Sequence, residues 1–389
     1  MRFVLVKGQS QYGSLRLHID QLTEALAGLG EQTEVVDLTT PDASARLVRA
    51  IAQPTDCVFG FSGVGSDIAI RGKFFERPAF VYATLYVDHP AHHIDRLSAR
   101  IERHAVFFLD RTHVAFTGLW ASPGAFAHIG LMPPGANTLA DPVDVGDDAF
   151  AARDIPLLFT GTYRGAPVEA WVDWPQSPAR TLVDETSRRM TADARLPLLD
   201  ALGAALAANG ATLTPDLIRS AAPLFSAIQM HAEAFHRHAV LTALGEAQVP
   251  LSVWGNGWAP LCAYYPALRF GGVGSFEETL GLLRRARLVL NINNGFVAGG
   301  HERVFGAMCA GAAVVSDRSA YYTEAFADGE EIATYDITRP AEIGERVGGL
   351  LADAAAQAKI ARAGHVRAMA EHRWRNRASD LVEVVRSLR

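Results

Sequence analysis

Three cysteines in 389 residues, Cys57, Cys262 and Cys309, are too few and too widely spaced for a disulfide framework or a paired metal-ligand motif. Cys57 and Cys309 stand in apolar surroundings and read as small buried hydrophobes, which suits a reducing compartment. No apolar stretch approaches the length that spans a bilayer, and the run Met1–Gly8 is too short for a signal peptide. A cytoplasmic protein without a transmembrane segment is therefore expected. Basic charge is not in surplus: the formal net charge is -6, which argues against a mainly electrostatic nucleic-acid binder. Solenoid-period repeats are lacking, and alanine enrichment is the only compositional bias.

Apolar material is plentiful, with 49% hydrophobic against 20% charged residues, enough for two buried cores. In the first part, short apolar runs alternate with helical spacing. Phe3–Val6, Val35-Val36, Cys57–Phe61, Ala79–Thr84 and Ala105–Leu109 read as strands. Leu15 to Leu29 and Ala43–Ile51 read as helices. This alternation predicts an α/β fold with parallel sheets covered on both faces. The pattern breaks near Ile129–Asn137 and at the aspartate-rich segment Asp141–Asp148, so domains of 1–150 and 151–370 are expected, with a last helix over 371–389 packing back on the first domain. Strands resume at Leu157–Thr160, Leu251–Gly255, Leu288–Ile292, Ala313–Val315 and Ile332–Tyr335. Residues 166 to 245 read as a helical insertion, and Ser275-Phe276-Glu277-Glu278 fits a capping box.

The run His301–Gly311 carries the most chemistry. An apolar strand, a glycine-rich break containing Asn293 and Gly300, a helix opening on His301, Glu302, Arg303 and Val304, and a further strand would aim backbone N–H groups and a cation at an anion. The default ligand is a phosphate or diphosphate. Asp88 and His89 follow a strand, where a general base of an acceptor site would stand. His89 and His93 have helical metal-ligand spacing, but no glutamate follows His89, so the zinc-protease pattern is missing. The Gly8–Ser14 loop lacks a nucleotide fingerprint and reads as shaping a cleft. His231, His236 and His238 read as a polar helix face.

The second half resembles the C-terminal nucleotide-sugar-binding domain of GT-B glycosyltransferases, near the spore-maturation-type, family-four-like branch. The matching pieces run in order: Leu131–Asn137, Leu158–Arg164, Val253–Trp258, Ala286–Asn293 and His301–Phe305. The resemblance implies two Rossmann-like domains facing a cleft and transfer of a sugar from a nucleotide-diphosphate donor to an unidentified acceptor. It implies donor contacts from Gly161, Thr162, Tyr163, Arg164, Trp254, Gly255, Trp258, Asn293, Gly300, His301, Glu302, Arg303 and Val304. Trp254 and Trp258 would stack on the base, and Arg303 would neutralise the leaving diphosphate, with Asp88 or His89 as base. No cofactor or metal is expected, because protein cations and dipoles replace a metal at such sites. Two glutamates with seven residues between them are usual in retaining relatives; Ala298 and Gly306 stand there instead. That departure keeps open a non-catalytic nucleotide-sugar-binding protein or a nucleotide-sugar epimerase.

Overall fold

In the computed structural model, which describes residues 1–66, 79–293 and 295–389, the apolar runs assemble into two six-stranded parallel sheets. The first holds β1 (Arg2–Lys7), β2 (Gln32–Asp37), β3 (Cys57–Phe61), β4 (Val81–Tyr86), β5 (His104–Phe108) and β6 (His128–Leu131), in the order β2-β1-β3-β4-β5-β6. The second holds β7 (Ile155–Thr160), β8 (Leu251–Trp254), β9 (Leu268–Gly272), β10 (Ala286–Asn291), β11 (Ala313–Asp317) and β12 (Ala333–Tyr335), in the order β12-β11-β10-β7-β8-β9. Central strands such as β3 and β4 are buried along their whole length, as strands covered on both faces must be. Cys57, in β3, and Cys309, at the end of the helix Glu302–Cys309, are buried free thiols.

Two strands escape the sequence reading, β6 and β9. Both are sheet edges, only partly covered, and each contains glycine, so neither shows a continuous apolar run. The capping box is present: Ser275 Oγ accepts the Glu278 N–H (3.1 Å) while Glu278 Oε2 accepts the Ser275 N–H (2.6 Å).

Among the joints between the two halves, three bear on the space between the sheets. The helix Trp374–Ser387 buries Trp374, Leu381 and Val385 against Ile19, Leu22 and Leu26 of the helix Ser14–Gly28. Asp110, fully buried at the start of the helix Arg111–Trp120, accepts the Ala298 N–H (2.6 Å) and the Thr112 N–H (2.6 Å). A carboxylate at a helix N-terminus is thereby shared with the glycine loop of the other half.

The third joint is the helix Pro215–Glu246, which runs through the crossover between β7 and β8. Its early turns, Ile218 to Ile228, pack with Tyr86, Phe108, Phe116 and Trp120 of the first half. Its late turns, Val240, Leu241 and Leu244, enter the core of the second half with Phe159 and Val253. The predicted insertion is thus a strut that crosses from one half to the other. Its middle turn faces the space between the two sheets.

Candidate functional site

The order of the second sheet reverses direction between β7 and β10, and open parallel sheets bind ligands beyond the carboxyl ends of strands at such a switch point. At those ends stand Thr160, Asn291 and, behind them, Arg303. A cavity of about 250 Å³ lies between the halves. Asp88, His89, Arg164, Glu233, Arg237, His301 and Glu302 line it, drawn from both sheets and from the crossing helix.

His301 is the N-cap of the helix Glu302–Cys309. Its Nδ1 lies 3.2 Å from the Arg303 N–H and 2.6 Å from Glu302 Oε2, so this nitrogen is committed and Nε2 is the one left to a ligand. Burial lowers the His301 pKa below the usual imidazole value. Burial works to raise Glu302, but His301, Arg303 and His18 together outweigh it and bring the carboxyl down to about 2. Each group of the pair holds the other nearer its charged form against the burial that opposes both. The helix opening is less free than its sequence suggests: the His301 N–H donates to Tyr322 Oη (2.8 Å) and the Val304 N–H to His301 O (3.1 Å).

Arg303 is buried and turned inward. Its Nη1 donates to Asn291 Oδ1 (2.8 Å), its guanidinium lies 4.7 Å from the centre of the Phe159 ring, and its Nη2 would be 3.1 Å from a Cβ at Gly161. Arg237, from the crossing helix, donates to Thr162 O (3.0 Å), and its buried Nε has no partner among the described residues. Burial, with Arg303 as a like charge, pushes Arg237 down to about 10. Arg164 is exposed and faces the same cavity. Among the described residues, none of Arg164, Arg237 and Arg303 forms an ion pair with a carboxylate.

Several expected donor contacts belong to the scaffold instead. Trp258 is fully buried, stacks with Tyr163 at 5.5 Å between ring centres and donates Nε1–H to Gly161 O (2.8 Å). It has no open face for a base. Trp254 lies over the backbone of β9, where a Cβ at Gly271 would come within 2.2 Å of its Nε1. Tyr163 is buried and its hydroxyl meets His238 Nδ1 at 2.7 Å. Val304 is a core residue. Asn293 holds the glycine loop, donating Nδ2–H to Phe296 O (2.7 Å) and Gly299 O (3.1 Å). Gly300 makes room for the Phe305 ring, since a Cβ there would lie 2.9 Å from Phe305 Cζ.

The left-handed Gly255 (φ 123°) lets the β8 loop approach the β7 loop: a Cβ would lie 2.4 Å from Gly161 O. Thr162 is fixed by Tyr12, whose hydroxyl is 2.9 Å from Thr162 Oγ1 and accepts the Asn256 N–H (3.1 Å). The Gly8–Ser14 loop therefore grips the second half, a role its sequence did not signal. Gly306 faces Leu283 across the helix packing, 3.6 Å from a notional Cβ, so a carboxylate there would point towards the helix Phe276–Arg285.

In the first half, His89 does not fit the role of base. It is buried, its Nδ1 accepts the Ala91 N–H (3.1 Å), and its ring packs 4.6 Å from His113 and 4.8 Å from Phe116. Burial, then the neighbouring His113, His92 and His93, drives its pKa well below the usual value. With Nδ1 accepting, the neutral ring carries its proton on Nε2 and is a donor. Asp88 is exposed and keeps an available carboxylate; burial opposes its ionisation, but His93, 3.6 Å away, prevails and lowers its pKa. His236 and His238 are not a polar face: His236 is buried with Nε2 2.8 Å from Met190 O, and His238 meets Tyr163.

A smaller chamber of about 40 Å³ lies behind Gly295, lined by Glu233, Asn293 and Asp317. Asp317 accepts the Asn293 N–H (2.5 Å), and burial pushes its carboxyl up to about 7. A carboxyl raised on folding contributes stability that is fully present below about pH 4 and is lost as pH rises through about 7. Asp317→Asn, which keeps an acceptor oxygen, is expected to flatten this part of the curve and to be the more stable protein at pH 8. Thermal midpoints from pH 4 to pH 8 that run parallel for both proteins would refute it.

Residues 234–383 match the glycosyl transferase-like family. Among solved structures, the chain is similar over 100% of its length to sucrose-phosphate synthase from Thermosynechococcus elongatus (14% identity, 99% of that chain, TM-score 0.59). It is likewise similar to AviGT4, a glycosyltransferase involved in avilamycin A biosynthesis (16% identity, 100% of this chain, 98% of that chain, TM-score 0.53). HepE from Anabaena, solved in complex with UDP, matches over 100% of both chains at 10% identity with a TM-score of 0.53. At these identities the likeness is one of fold, the GT-B fold. No curated protein matches the sequence. Among the described residues, no helix is long and apolar enough to cross a membrane.

Proposed function

We propose that this GT-B chain is a glycosyltransferase that takes a sugar from a nucleotide-diphosphate donor and passes it to an acceptor entering beside Asp88. The observation that carries the reading is the set of three arginines, Arg164, Arg237 and Arg303, gathered at the switch point of the second sheet with no carboxylate paired to any of them among the described residues. Guanidiniums with no carboxylate at ion-pair distance keep their donors for an anionic ligand in a partly dry cleft, and they stabilise the charge that grows on a departing diphosphate. Arg164 and Arg237 would touch the diphosphate directly, while Arg303 supplies field from behind Gly161. Asp88 would take the proton of the acceptor hydroxyl, and His89 would donate a hydrogen bond through Nε2. His301 lines the same space.

With three guanidiniums in place, transfer needs no divalent ion. Calorimetric titration with UDP, GDP, ADP and dTDP tests the reading. One of them should bind in EDTA, and its glucose ester should be hydrolysed or transferred without added Mg²⁺ or Mn²⁺. A strict metal requirement would remove the metal-free mechanism. Binding without any turnover would favour a nucleotide-sugar-binding protein, the reading that Ala298 and Gly306 support. Conversion of the nucleotide sugar with no acceptor present would favour an epimerase.

A further inference from the structure

The crossing helix brings a carboxyl into the cleft that neither sheet supplies. Gln229, Glu233 and Arg237 repeat every four residues and so share one face. Glu233 and Arg237 both line the interdomain cavity, and Gln229 Nε2 donates to Glu233 Oε1 (3.1 Å). Glu233 lies one turn, about 6 Å, nearer the first half than Arg237, because the early turns of this helix pack on that half. Gly295, left-handed at φ 80°, lies against the carboxyl: a Cβ there would be 2.5 Å from Glu233 Oε1.

The order along the helix matches the order of groups in a nucleotide sugar. A diphosphate held at Arg237 puts the anomeric carbon one P–O–C linkage away and the sugar's hydroxyls about one helical turn away. Sugar hydroxyls are donors, and a carboxylate is an acceptor-only group suited to binding two of them. Resting on the transferase reading above, we propose that Glu233 binds hydroxyls of the transferred sugar. The long helix thus supplies both a phosphate contact and a sugar contact. Burial raises the Glu233 pKa, with Gln229, Arg237 and Arg164 opposing, so sugar binding should also weaken at acid pH.

The experiment is calorimetric titration of the full-length wild type, Glu233→Gln and Glu233→Ala with UDP and UDP-glucose, run beside GDP, ADP and dTDP with their glucose esters. For the base that binds, both variants should keep the affinity for the nucleoside diphosphate within about twofold and lose about tenfold or more for the nucleotide sugar. The near-isosteric Glu233→Gln guards against a folding defect. Equal weakening of both ligands, or no change in either, overturns the role of Glu233 while leaving the transferase reading intact. Absence of binding by wild type to every nucleoside diphosphate overturns the transferase reading itself, and Glu233's role with it.

Discussion

Arg237→Ala is expected to abolish nucleoside-diphosphate binding, a loss of about 100-fold or more, without lowering the thermal midpoint of the free protein. Truncating one partner of a desolvated charge-assisted contact costs about 2–5 kcal/mol, which sets that scale. The free protein should behave differently. Arg237 carries a buried Nε without a described partner and stands near Arg303, a like charge, so its removal relieves an unfavourable arrangement. Against that relief stand the hydrogen bond Arg237 donates to Thr162 O and its attraction to Glu233, one turn away on the same helix. A thermal-shift series with and without the best-binding nucleoside diphosphate reads both effects at once. The midpoint of the free variant should equal or exceed wild type, and the ligand-induced rise should vanish. A lowered midpoint with the ligand response preserved would make Arg237 a structural residue and would remove the main support for the diphosphate site.

What was legible in the sequence follows from how each signal is generated. Buried strands announce themselves because both faces are apolar, and β3 spans Cys57–Phe61 as expected. The helix after His301 was legible because its capping residue, apolar spacing and flanking strands are all local. Edge strands β6 and β9 gave weaker signals, having one face open and glycines within. Glu233 and Arg237 were missed for a different reason: polar residues four apart on a long helix look like a solvated stripe. Only the crossing of that helix between two cores turns the stripe towards a cleft. Trp258 and Tyr163 were misassigned because an aromatic beside glycines suits a stacking platform and a packed core equally well. Their burial depends on β7 and β8 being neighbours, which no single segment encodes.

The glycines between those aromatics give the second large effect. Gly257→Ala is expected to cost about 3–5 kcal/mol and to lower the thermal midpoint by about 5 °C. Gly257 is left-handed (φ 84°), which an L side chain adopts only with strain, and a Cβ there would lie 2.0 Å from Tyr163 O. The obstacle is a backbone carbonyl, so relief requires moving the whole loop after β7. That loop cannot move cheaply: the Tyr163 N–H donates to Asn256 O (2.9 Å), Trp258 Nε1–H to Gly161 O (2.8 Å), and Arg237 to Thr162 O. Gly281→Ala is the control, a helical glycine with nothing within 4 Å of its notional Cβ, and it should be neutral or slightly stabilising. The free protein separates two explanations of Gly257. A glycine required only for approach to a ligand would leave the unliganded midpoint unchanged and reduce affinity alone. A glycine required by the scaffold lowers the midpoint first, and donor affinity falls because the loop carrying Thr162 and Arg164 has shifted. An unliganded midpoint for Gly257→Ala within about 1 °C of wild type, a change of under about 1 kcal/mol, would overturn the scaffold explanation.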